Sequence, residues 1–166
     1  MKNAEIAANV EESSNEPLLD AAALQGATTK NVKEGAHGSA TWELSNGVKV
    51  VFLKTEYKKD QVIMDLVKDG GRSLIETEEL ASFDENIWSL FQNNTGISSF
   101  SGTQLRKMLT GKNVYCAPYI SSLRHGIKVE STPKDLETAM QLVYLSFEKP
   151  RFDNDEFHMG VSVYLR

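Results

Sequence analysis

All 14 aromatic residues of this 166-residue chain lie after position 40. Aromatic side chains carry the largest apolar payload of any residue. A segment without them struggles to bury enough area to offset the entropy of ordering its backbone. Residues 1–40 hold only Lys2, Lys30 and Lys33 against six acids: Glu5, Glu11, Glu12, Glu16, Asp20 and Glu34. The sequence therefore predicts a linker or arm over 1–40 and a folded domain over 41–166. The first stretch does not read as a signal peptide. Lys2 is its one early base, Glu5 follows closely, and no apolar core of ~7–15 residues appears. A periplasmic destination would need an export signal upstream of these residues.

Charge narrows the partners. Lysine plus arginine number 18 and aspartate plus glutamate 23, a net charge of -5. A mildly acidic chain without a basic run is a poor match for nucleic acid or an anionic membrane surface. No apolar run approaches the ~18 residues of a spanning helix. The single cysteine excludes an internal disulfide and a cysteine-based zinc finger.

Beyond residue 40 the periodicity changes several times. Trp42–Ser45, Asn46-Gly47 and Val48–Leu53 read as a hairpin on a type I′ turn, since Asn-Gly supplies two positive-φ positions. Val62–Val67 is a second strand, ending at Asp69-Gly70-Gly71. Leu80, Phe83, Ile87, Leu90 and Phe91 recur at helical steps and predict a helix over 77–93 with Trp88 widening its core face. Ser101 and Gln104 have the spacing of a capping box. Val114–Ile120 and Leu123–Val129 read as two more strands. Thr132-Pro133 reads as an N-cap followed by proline, opening a helix with Leu136, Met140, Val143 and Phe147 on one stripe. Asp153 reads as the cap of a last helix carrying Phe157, Val161 and Tyr164. Strand pairs interleaved with helix pairs predict an α+β fold, a mostly antiparallel sheet with helices packed on one face.

Two stretches resemble a known family. Leu44-Ser45-Asn46-Gly47-Val48-Lys49-Val50-Val51, with the later Gly70-Gly71-Arg72-Ser73 turn, is similar to the opening of a pitrilysin/insulinase-type zinc metallopeptidase domain. Leu80-Ala81-Ser82-Phe83-Asp84-Glu85-Asn86-Ile87 is similar to its active-site helix, which in active members reads roughly L-A-H-F-L-E-H-M, the inverted zinc motif. The Phe152–Phe157 segment resembles the entry into the family's third-ligand helix. The resemblance covers about residues 41–166.

The resemblance places the family's two histidine ligands on Ser82 and Asn86, and its general base on Glu85. The third ligand, a glutamate, would fall near Arg166 or beyond. A hydroxyl and a carboxamide are poor zinc ligands, and without the ion Glu85 has no metal-bound water to deprotonate. The resemblance implies a domain, truncated on its C-terminal side, that begins a degenerate half of a two-half enzyme. It implies no catalytic or metal residue and no cofactor in this chain, with zinc on the other half. The implied partners are that catalytic half and a peptide substrate, with self-association through unpaired apolar surface.

Other constellations each have a plainer reading. His37, His125 and His158 form no metal spacing. Cys116 with His125 would be a nucleophile pair, but a lone cysteine in an apolar strand is usually a small buried residue. Gly70-Gly71-Arg72-Ser73 could cradle a phosphate but reads as a turn. Asp153–Glu156 resembles part of a calcium loop but reads as a helix cap. Asn93-Asn94-Thr95 is a glycosylation sequon on paper. The leading expectation is a non-catalytic segment of a zinc metallopeptidase. Its rivals are a stand-alone interaction module of the same fold, and a hydrolase using Cys116 or Glu85.

Overall fold

A computed structural model describes residues 18–20, 22, 24, 26–83 and 96–164. The chain divides into two units. One spans Leu19–Gln61, and Val62–Arg166 lie in the other.

The first unit is a three-stranded antiparallel meander of β1 (Thr29–Glu34), β2 (Ala40–Leu44) and β3 (Lys49–Phe52), in that order. Residues 29–34, expected to belong to the arm, pair instead with β2, Val32 opposite Trp42 and Glu34 opposite Ala40. Backbone pairing needs no buried side chain, and all six side chains of β1 remain exposed. A count of apolar residues is blind to such a strand. Two bonds fasten its start to the hairpin turn: Ser45 N–H donates to the Thr28 carbonyl at 2.8 Å, and Thr28 N–H to Ser45 Oγ at 3.0 Å.

The β2–β3 hairpin forms as expected, on a different turn. Gly47 N–H donates to the Leu44 carbonyl at 3.0 Å, and Leu44 N–H to the Val48 carbonyl at 2.9 Å. Gly47 alone in this turn has positive φ, at 85°. This is a type I turn closed by a glycine bulge, one residue longer than the predicted type I′ turn. Asn46 stays at negative φ, where its carboxamide accepts from Val48 N–H at 3.2 Å. Across the hairpin, Trp42 and Phe52 stack with centroids 5.9 Å apart and planes 16° from parallel.

The second unit is built on β4 (Val62–Asp69), β5 (Val114–Ile120) and β6 (Arg124–Ser131), with β6 central and both pairings antiparallel. Period-two alternation divides its faces. Met64, Val129 and Cys116 stand in one row, and Leu66, Ile127 and Pro118 in the next, on the covered face. Among the described residues, two α-helices lie between β4 and β5: α1 (Thr77–Leu80) and α2 (Gly102–Met108). Of the helix predicted over 77–93, α1 covers Thr77–Leu80, residues 81–83 leave it in a turn, and the remainder from 84, with Trp88, lies outside the described residues. The predicted capping box opens α2: Gln104 N–H donates to Ser101 Oγ at 3.3 Å, and Ser101 N–H to Gln104 Oε1 at 2.8 Å.

Helix α3 (Leu136–Glu148) packs on β5 and β6. Its N-cap is Asp135, three residues later than the proposed Thr132. The Asp135 carboxylate accepts from Asn113 N–H at 3.0 Å and from the Thr132 hydroxyl at 3.1 Å, which holds 132–135 as a turn. The buried face also differs from the predicted stripe. Thr138, Ala139, Leu142, Val143 and Leu145 are buried, whereas Met140 is 46% and Phe147 64% exposed. Small residues let the helix approach the sheet. Ala139 has no exposed surface and joins Val143, Ile127 and Val129 in the core, with Met64, Leu66, Val114 and Cys116 packed against them. The last helix, α4 (Asn154–Tyr164), follows Asp153 as expected.

The whole is α+β, with two small antiparallel sheets rather than one. No helix among the described residues is long and apolar enough to cross a membrane.

Candidate functional site

The family motif falls just past α1. Leu80 N–H donates to the Glu76 carbonyl, and Ser82 lies in the turn that follows. Ser82 Oγ donates to the Glu79 carbonyl at 2.8 Å, on the exposed side of the chain. A neutral hydroxyl already turned to a backbone carbonyl does not fit the role of a zinc ligand. Glu85 and Asn86, the other two motif positions, lie outside the described residues, as does the sequon at 93–95.

The remaining candidates lie on different elements. His37 sits in a short 3-10 turn of the first unit, His125 on β6 and His158 on α4. Among the described residues no group of three histidine, cysteine, aspartate or glutamate side chains could hold a metal ion. Cys116 and His125 share a sheet face but do not meet. His125 pairs with Ile120, four residues along β5 from Cys116, which is about 13 Å at ~3.3 Å per residue. Burial pushes the Cys116 thiol up to about 11, against a smaller opposing effect of Ser146. A thiol so raised is the reverse of an activated nucleophile.

The glycine turn after β4 spends its donors within the fold. Gly70 N–H donates to the Leu123 carbonyl, Arg72 N–H to that of Ser121, and Ser73 N–H to that of Ser122. Gly71 N–H donates to His125 Nδ1 at 3.0 Å. A phosphate cradle needs such amides free. Gly71 has φ of 60°, and a Cβ there would lie 2.2 Å from the Ser121 carbonyl oxygen. The glycine is required by this close approach of the β5–β6 hairpin.

Asp153 acts as a cap. Its Oδ1 accepts from Asp155 and Glu156 N–H at 3.1 and 3.2 Å, and its Oδ2 from Arg151 at 2.8 Å. The Glu156 amide is the main cause that holds the Asp153 carboxyl below its usual range, with Arg151 adding to it. All four of these groups belong to one chain segment, which explains the acidic run without a cation.

Near this segment lies a cavity of about 270 Å³, lined by the end of α3, the β5–β6 hairpin and the Gly96-Ile97 bend. Arg151 and His125 are its basic lining residues. Sequence reasoning does not single out Arg151. The one sign of it there is a base set between a helix-breaking proline and a capping aspartate.

No protein-family profile matches the chain, and no curated protein matches it. Solved structures do. The periplasmic protease PqqL from Escherichia coli superposes with a TM-score of 0.80 at 17% identity, over 98% of this chain and 18% of its own. A mutant of the ferredoxin protease FusC, solved in complex with Arabidopsis ferredoxin, gives 0.68 at 19% identity, over 84% of this chain and 15% of its own. The chain thus spans less than a fifth of either protease. At such identities the likeness speaks of fold. The chain has the fold of a segment of these two proteases, in line with the pitrilysin/insulinase resemblance of its motifs.

Proposed function

We propose that the chain is a non-catalytic segment of a pitrilysin/insulinase-type zinc metallopeptidase, completing a two-lobed chamber around a peptide substrate. Its partner is the catalytic half of the same protein, where zinc is held. What supports this reading is the fold of a protease segment together with Ser82, the residue that the motif resemblance sets at the first histidine position, an exposed hydroxyl donating to the Glu79 carbonyl. A water needs a metal to become a good nucleophile at neutral pH. Glu85 alone supplies a base without that activation.

Metal analysis of the dialysed chain, with a fluorogenic peptide assay, tests the reading. The expected result is no stoichiometric zinc and no cleavage. The double variant Ser82→His with Asn86→His should gain weak zinc binding without turnover, because two imidazoles make an incomplete ligand set. Chelator-sensitive cleavage by the unmodified chain would overturn the proposal.

A further inference from the structure

We propose that the cavity at the C-terminal end of α3 binds a small carboxylate carried on an apolar body. The inference goes beyond the peptidase reading and does not depend on it. Most of the lining is apolar, with Ile97, Pro118, Ile120, Ile127, Phe147 and Pro150 contributing. Two basic side chains line the same space, and both have donors to spare. His125 Nδ1 accepts from Gly71 N–H, so the proton of the neutral ring is on Nε2. No acceptor takes that proton among the described residues. Arg151 donates from one Nη to Asp153 at 2.8 Å, and among the described residues its Nε is buried without a partner, as is the Glu156 Oε2 of the same segment. The Ser146 hydroxyl, also in the lining, has its hydrogen committed to the Leu142 carbonyl at 2.8 Å.

A space that offers donors against apolar walls selects a group made only of acceptors. An ionised carboxylate is that group, and it forms the strongest bonds with a guanidinium. Asp153 competes for the same cation, yet it takes a single edge of the planar fork. Arg151 Nε is shut off from solvent, so binding requires the guanidinium to turn toward the ligand. A donor that is costly to leave unpaired thereby gains an acceptor. The volume of 270 Å³ equals about nine waters at ~30 Å³ each. That suits a carboxylate bearing one ring or one branched chain. Pockets of this make-up, apolar with a few convergent polar groups, are the usual form of small-molecule sites.

The test is calorimetric titration of the whole chain with 3-phenylpropionate and with N-acetyl-leucine, each beside its neutral amide. The first acid represents a free small molecule and the second a peptide C-terminus, so the preferred one identifies the source. Saturable binding of either acid is expected, with at least tenfold weaker binding of its amide. Arg151→Met should weaken the acid at least tenfold while its far-UV melting curve matches the parent. If that variant fails to fold, the acid-to-amide ratio on the unsubstituted chain decides. No saturable binding up to ~10 mM, tenfold above a millimolar dissociation constant, would overturn the proposal. Equal binding of acid and amide, or an undiminished Arg151→Met, would do the same.

Discussion

Two aspartates show how single side chains set the ends of elements. Asp135 and Asp153 both have carboxyls held below the ordinary value of 3.8, chiefly by backbone N–H donors, Asn113 in one case and Glu156 in the other. A carboxyl lowered in the folded state contributes stability above its unfolded value. That contribution fades as pH falls past 3.8 and is gone below the lowered folded value. Urea midpoints measured from neutral pH down should therefore drop across this window. Asp135→Asn and Asp153→Asn should start lower and fall less, since an amide has no charge to lose. A decline parallel to that of the parent would show that these caps do not titrate as described. Gly71 is a residue-scale case of the opposite kind. Its neighbours at the β5–β6 hairpin, not its own chemistry, fix its identity.

At the scale of elements, α3 carries the clearest lesson. Its apolar residues suggest a stripe through Leu136, Met140, Val143 and Phe147, yet of these only Val143 is buried, beside Thr138, Ala139, Leu142 and Leu145. Large side chains dominate any apolar stripe read from the sequence, whereas close packing on a sheet is decided by where small ones fall. Leu145→Ala should cost about 2–5 kcal/mol, because Leu145 is nearly fully buried. Ala139→Leu should cost about 1–3 kcal/mol by overpacking, while Met140→Ala at the exposed face should stay within ~0.5 kcal/mol. Urea unfolding of the three variants checks the order. A larger loss at Met140 than at Leu145 would contradict the placement of the helix. The strand β1 is the counterpart among sheets. Its pairing with β2 rests on backbone bonds while its own side chains remain exposed, so no apolar pattern announces it.

For the molecule as a whole, the two units differ in what supports them. The β4–β6–β5 sheet is covered by α3. The meander of the first unit has no buried residue among its three strands. Sheets without a covered face open at low cost. Amide hydrogen exchange should accordingly be faster in β2 than in β6, and equal protection would refute this. Val51 is 70% exposed in the first unit and Phe152 74% in the second. Apolar surface of this kind favours association. Light scattering at ~100 μM should find species above monomer mass, and a clean monomer would count against it. The sequence by itself determined the strands beyond residue 40, the capping box of α2, the cap of α4 and the α+β class, because these follow from local periodicity and local hydrogen bonds. Only the tertiary structure decided that β1 pairs, which face α3 turns inward, that Gly71 faces His125, and that Arg151 and His125 share a cavity. Those are contacts between residues distant in the chain, which no local pattern encodes.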